Sequence, residues 1–169
     1  MEFDAVHGDI AAQEADALVN AAGTSLRMGS GVAGALRRAA GEKLNEEAMA
    51  KGPVDLGEVA VTDAYDLDAE YVIHAAAMPH YGDGNATEAS IRTATRNALT
   101  AAEERGCESI VIPVLGTGVA GFEFEQGARF VCEEISVFEP ESLSDVRVIA
   151  YGEDSYRMLE RVADELHSR

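Results

Sequence analysis

The chain has 169 residues, 47% of them apolar, with 31 Asp and Glu against 13 Lys and Arg and a formal net charge of −18. Its length suits one domain (1–169), its apolar share excludes a disordered chain, and so acidic a balance excludes a duplex nucleic-acid partner, which needs a cationic face. No run of about 18 apolar residues exists to cross a membrane, and the opening MEFDAVHGDI has neither a basic start nor an apolar signal core, so the expected location is cytoplasmic.

Short apolar runs alternate with helical patterns along the whole chain. Residues 3–6 read as a first strand and 17–22 (ALVNAA) as a buried second one. Val32, Ala35, Leu36, Ala39 and Ala40 then follow helical spacing. Residues 59–62 and 71–76 read as two more strands, and 85–105 as a helix with Ile91, Ala94, Ala98 and Ala102 on one face. Residues 109–115 (SIVIPVL) form a buried strand. Phe124, Ala128, Val131, Cys132 and Ile135 mark the next helix, 145–151 the last strand, and Met158, Leu159, Val162, Ala163 and Leu166 the final helix. This alternation predicts an α/β fold of three layers, with a mostly parallel central sheet covered on both faces. Ligands of such sheets sit at the carboxyl ends of strands, so function is sought in the loops after Ala22, Ala76, Leu115 and Tyr151.

Two of those loops carry the same motif. Gly29, Ser30, Gly31, Val32, Ala33 and Gly34 follow the second strand and open a helix. Gly116, Thr117, Gly118, Val119, Ala120 and Gly121 follow SIVIPVL and precede a helix. Each fits G-x-G-x-x-G. One match is weak, because glycine also serves tight turns; two matches, each between a strand and a helix, carry more. Side-chain-free turns let backbone N–H groups approach phosphate oxygens, and a helix N-terminus adds unpaired donors and a positive dipole end. A pair of such loops suits a diphosphate, the more so in a chain without a broad basic patch. A dinucleotide-binding Rossmann domain fits poorly, since the first loop comes after the second strand and a six-residue gap. A Walker A loop is excluded, since neither loop continues to G-K-[ST].

Two cysteines, Cys107 and Cys132, are too few for a disulfide framework and lack metal-ligand spacing, so both are read as core residues. Lysine occurs only at positions 43 and 51. An acid-rich, lysine-poor surface reads as that of a salt-adapted, halophilic protein, the alternative being an ordinary acidic domain. His74 lies within an apolar strand and reads as a satisfied core histidine. No metal site and no cofactor are expected.

With these pieces in place the chain resembles the macrodomain (Appr-1″-P processing) family. The matching segments are Gly8-Asp9-Ile10, Val19-Asn20-Ala21-Ala22, the GSGVAGAL stretch, Gly57-Glu58-Val59-Ala60-Val61-Thr62, Val72-Ile73-His74-Ala75-Ala76 and IPVLGTGVAGF. The resemblance implies a mixed, mostly parallel sheet between helices, with ADP-ribose or an ADP-ribosylated protein as the partner of a monomer. It implies that Asp9 accepts from the adenine amine and that the Ile10 backbone reads the same base; Asp9 also suits a helix N-cap. Asn20 would lie near the distal ribose, as a ligand contact or as a buried amide. Gly29, Ser30, Gly31, Val32 and Ala33 would wrap the distal ribose and one phosphate. Gly116, Thr117, Gly118, Val119, Ala120 and Gly121 would cradle the diphosphate, with Thr117 adding a hydroxyl donor. Phe122 would line the distal side or join the core, and Tyr151 would stack on adenine or serve as an ordinary strand residue.

The chain also departs from its hydrolytic relatives. They usually show N-A-A-N and G-G-G-V-D-G, where this sequence has Gly23 at the second asparagine and Ala33 at the aspartate. That aspartate is commonly assigned to activate water, and alanine cannot do so. Ala120 replaces a frequent aromatic, and the paired glutamates of the poly-ADP-ribose type are absent. Two readings stay open: a module that binds ADP-ribose, and a processing hydrolase in which the ligand's own phosphate activates water while Asn20 positions the ribose.

Overall fold

The computed structural model describes residues 1–80, 83–118 and 121–168. Twelve elements follow in chain order: β1 (Asp4–His7), a 3-10 turn (Ile10–Ala12), β2 (Ala17–Gly23), α1 (Gly31–Ala40), α2 (Glu42–Lys51), β3 (Val59–Asp63), β4 (Tyr71–Met78), α3 (Glu88–Glu104), β5 (Ser109–Pro113), α4 (Phe124–Val137), β6 (Asp145–Ala150) and α5 (Glu153–His167). The six strands make one sheet in the order β1-β6-β5-β2-β4-β3. Every neighbouring pair is parallel except β3 and β4, which run antiparallel. This is the mostly parallel sheet the alternation predicts, and its one antiparallel pair makes it the mixed sheet the resemblance implies.

Period-two alternation decides which side chain meets which helix. Leu18, Val72, Val111 and Ile149 point to one face, where α1 and α2 bring Ala33, Leu36, Ala40 and Leu44. Val19, Ile73, Ile110, Ile112 and Val148 point to the other, beneath Ile91 and Ala98 of α3, Val131 and Ile135 of α4, and Leu159 and Val162 of α5. Cys107 and Cys132 belong to this second core. A fully buried leucine or isoleucine contributes roughly 1.5–3 kcal/mol, so the two cores, not the surface charges, hold the layers together.

Local signals set the helix ends. Thr87 caps α3: its side chain accepts from the Ser90 amide, and Ser90 Oγ accepts from the Thr87 amide in return. Gly41 stops α1 at φ +99°, with its N–H on the Arg37 carbonyl. The second helix, α2, starts one residue later and lies outside the elements expected from the sequence. Its inward face is only Leu44, Asn45 and Ala48, and the amide in the middle of that stripe hides the apolar period. Asn45 Oδ1 accepts from the Met28 backbone at 2.9 Å, so this buried side chain ties α2 to the segment before α1. No helix among the described residues is long and apolar enough to cross a membrane.

Candidate functional site

Strand order places the site. After β2 the chain goes to the edge strand β3 and back to β4 on one side of β2, and then crosses to β5 and β6 on the other, so the direction of winding reverses between β2 and β5. Crevices at the carboxyl ends of strands open at such a reversal. Here β2 and β5 pair at Ala17–Ile110 and Leu18–Val111 and then part. The two glycine loops follow these two strands.

Two hollows lie along this crest, and the first glycine loop is the wall between them. One, of about 460 Å³, is lined by Gly8, Asp9, Ile10, Gly31, Val32, Ala35, Arg38, Pro113, Ile149 and Tyr151. The other, of about 340 Å³, is lined by Ala21, Gly23, Ser25, Arg27, Gly29, Ser30, Ala33, Met78 and His80. The structure therefore brings Asp9, Ile10, Gly31, Val32 and Tyr151 together on one side, and Gly29, Ser30 and Ala33 on the other, beside Gly23. A larger hollow of about 650 Å³ lies at the opposite end of the sheet, against Phe3, Ser136 and His167, and carries none of the motif residues.

The glycines of the two loops differ in what they leave room for. At Gly29 and Gly31 an added Cβ would meet nothing within 4 Å, and the same holds at Gly118. Gly31 and Gly118 also have positive φ, +61° and +69°, a region an L side chain rarely adopts. The remaining three glycines are packed. A Cβ at Gly34 would lie 2.9 Å from the Gly29 carbonyl, one at Gly116 2.5 Å from Ile91 Cγ1, and one at Gly121 2.9 Å from Asn85 Oδ1.

Asp9 is exposed, and its Oδ1 accepts from the Ala11 amide at 2.9 Å, capping the 3-10 turn. Ile10 beside it is buried. Tyr151 is 79% exposed, and its carbonyl accepts from His7 Nε2 at 3.1 Å. In the second loop, Thr117 directs its hydroxyl to the Val114 carbonyl at 2.9 Å, inside its own turn. Phe122 packs against the core, edge-on to Phe130 with ring centroids 5.5 Å apart. Val119 and Ala120 lie outside the described residues.

Asn20 is not on the crest. It is 1% exposed, two residues beyond Leu18 on the same face of β2. Its Nδ2 lies 3.0 Å from His74 Nδ1, and His74 Nε2 lies 2.9 Å from Thr62 Oγ1. Thr62 Oγ1 donates to the Asp63 carbonyl, so His74 Nε2 is the donor to Thr62 and Nδ1 accepts from Asn20. His74 is completely buried, which pushes its imidazole down to about 4, with Glu47 raising and Lys51 lowering it by smaller amounts. Asn20 Oδ1 has no partner among the described residues.

Sequence reasoning missed Ser25, Arg27, Arg38 and His80. They stand in or beside loops where no periodicity singles them out. Their position is informative all the same: among the described residues Arg27 and Arg38, like Arg105 and Arg161, make no ion pair, whereas Arg37, Arg92, Arg96, Arg129, Arg147 and Arg157 each do. Two uncommitted cations thus flank the first loop, one per hollow. Among the described residues, the hollow beside Gly23 has no carboxylate in its lining. A Cβ at Gly23 would lie 3.1 Å from the Pro79 carbonyl and 3.7 Å from His80 Cα, so the segment after β4 leans into the space an asparagine side chain would fill. No group of three or more His, Cys, Asp or Glu among the described residues is placed to hold a metal.

Residues 19–131 match the family described as Macro domain. An uncharacterised protein of Sulfolobus acidocaldarius is 39% identical over 94% of this chain and 88% of its own length. An uncharacterised protein of Mycobacterium tuberculosis is 39% identical over 93% of this chain, which spans only 43% of that protein. Among solved structures, a point mutant of the Oceanobacillus iheyensis macrodomain with ADPR superposes with a TM-score of 0.88 at 27% identity, covering 98% of this chain and 93% of the other. The Trypanosoma brucei macrodomain in complex with ADP-ribose gives 0.84 at 29% identity, covering 93% and 67%.

Proposed function

The chain belongs to the macro domain family, and on that premise we propose that it binds ADP-ribose along the crest of its sheet. Adenine enters the hollow bounded by Asp9, Ile10 and Tyr151. Asp9 keeps Oδ1 on the Ala11 amide and accepts from the adenine amine with its second oxygen. The diphosphate crosses the first glycine loop and meets the second at Gly118. The distal ribose enters the hollow bounded by Gly23, Ser30 and Ala33. The supporting observation is that the second glycine of each loop combines a positive φ with empty space where a side chain would stand. Backbone amides there can close on an anion that the protein's net charge of −18 would otherwise repel. Asn20, sealed against His74, enters this reading as a buried amide that ties β2 to β4 beneath the crest.

Titration calorimetry with ADP-ribose and ribose 5-phosphate tests it. The expected result is tight binding of ADP-ribose, with Asp9→Ala weakening it roughly tenfold, as loss of one hydrogen bond to a charged group would, and leaving ribose 5-phosphate unchanged. Absence of ADP-ribose binding, or equal losses for both ligands, refutes the reading.

One feature favours processing as a second reading. The distal hollow is open, and Ser25, Arg27, Ser30 and His80 line it, so a leaving group has room and donors to meet it. With Ala33 in place of a carboxylate, water there would lose its proton to the ligand's phosphate. A time course with ADP-ribosylated protein, O-acetyl-ADP-ribose and ADP-ribose 1″-phosphate separates the two: turnover of any one establishes processing, and no turnover leaves a binding module.

A further inference from the structure

We propose that His7, which does not line the adenine hollow, is a positioning residue that holds Tyr151 over it. The idea rests on the adenine role of Tyr151 given above and adds the device that makes that role work. Tyr151 is 79% exposed, so little packing fixes its side chain. Its backbone, by contrast, is held where β6 turns into α5. The Gly8 amide donates to the Ala150 carbonyl at 3.0 Å, continuing the β1–β6 ladder by one step. His7 Nε2 then donates to the Tyr151 carbonyl itself at 3.1 Å. A carbonyl only accepts, so this nitrogen carries the proton whether the ring is neutral or charged.

The His7 ring is itself anchored. It lies flat on Tyr156 of α5, with centroids 5.2 Å apart and planes 17° from parallel. Tyr156 packs against the main core, and its hydroxyl donates to Glu160 at 2.8 Å. One imidazole therefore joins β1, α5 and the turn that carries Tyr151. A stacking ring on a fixed backbone gives up less freedom when it closes on a base, and that saving appears as affinity.

The test compares wild type, His7→Ala, Tyr151→Ala, the double variant and His7→Gln, each titrated with ADP-ribose and ribose 5-phosphate. Stacking on an aromatic is worth roughly 2- to 10-fold in affinity. His7→Ala should fall within that range for ADP-ribose and leave ribose 5-phosphate unchanged. The double variant should bind no more weakly than Tyr151→Ala alone, because a brace has no effect once the ring it holds is gone. His7→Gln, which keeps a donor, should recover part of the loss. If His7→Ala lowers the melting temperature but not the affinity, or weakens both ligands alike, or if the two single losses multiply in the double variant, the brace is wrong. An inert Tyr151→Ala is equally fatal. Wild type that binds ADP-ribose no more tightly than ribose 5-phosphate overturns the proposed function itself, and the brace with it.

Discussion

The two glycine loops share one motif but use it differently. In the first, Gly29 and Gly31 face empty space and only Gly34 is packed. In the second, Gly116 and Gly121 are packed against Ile91 and Asn85, and only Gly118 is open. What the loops have in common is the middle glycine, left-handed and unobstructed in both. Spacing therefore marks the place where backbone meets ligand, while the outer glycines answer to whichever neighbour the fold brings up. The second loop sits hard against α3; the first stands clear of its surroundings.

The sharpest way to break this comparison is Gly116→Ala. The new Cβ would stand 2.5 Å from Ile91 Cγ1 and 2.9 Å from Ala86 Cβ, on a backbone at φ +79°. Overpacking and a disfavoured φ together should cost about 3 kcal/mol or more, measured by urea denaturation. Gly29→Ala, at the corresponding place in the first loop, meets nothing and should change stability by less than about 0.5 kcal/mol. Equal effects at the two positions would end the distinction.

Gly31→Ala and Gly118→Ala sharpen it. Each places a methyl group in open space at a positive φ, so each should lose only about 1–2 kcal/mol of stability but bind ADP-ribose roughly 10- to 100-fold more weakly, as loss of charge-assisted contacts would imply. Calorimetry on both variants checks it. A full-affinity Gly118→Ala would remove the second loop from the site.

Much of this was legible in the sequence, for identifiable reasons. Strands and most helices announced themselves because both sheet faces are buried and the apolar periods are clean, as in Ile91, Ala94 and Ala98 of α3. The α2 helix was hidden because Asn45 interrupts its thin stripe. The loops were visible as motifs, but open and packed glycines were indistinguishable, since Ile91, Ala86 and Asn85 reach them only through the tertiary fold. Asn20 is the instructive case. The resemblance offered it as a ligand contact or as a buried amide, and with both faces of β2 buried the alternation could not choose; only the tertiary fold sets it against His74. Arg27, Arg38 and His80 gave no signal, because nothing in a loop's sequence says which hollow it borders.

The smallest effect expected concerns the strands beneath the loops. Within β5 the buried side chains Ile110, Val111, Ile112 and Pro113 lead to the second loop without a buried ionisable group. The neighbour of β2, by contrast, carries His74 at the core of the Asn20–Thr62 chain. Burial holds the folded His74 near 4 against about 6.5 in an unfolded chain. Between those values the unfolded state binds more protons, so this contribution is complete above about pH 6.5 and is lost as pH falls toward 4. The many carboxylates confound a single profile, because their mutual repulsion eases over the same range. The difference between wild type and His74→Gln isolates the imidazole: wild type should lead near pH 7, and its lead should shrink steadily on acidification in urea denaturation. A lead independent of pH would mean that His74 takes up its proton equally in the folded and unfolded states. The first loop would then rest on a foundation as indifferent to protons as the second.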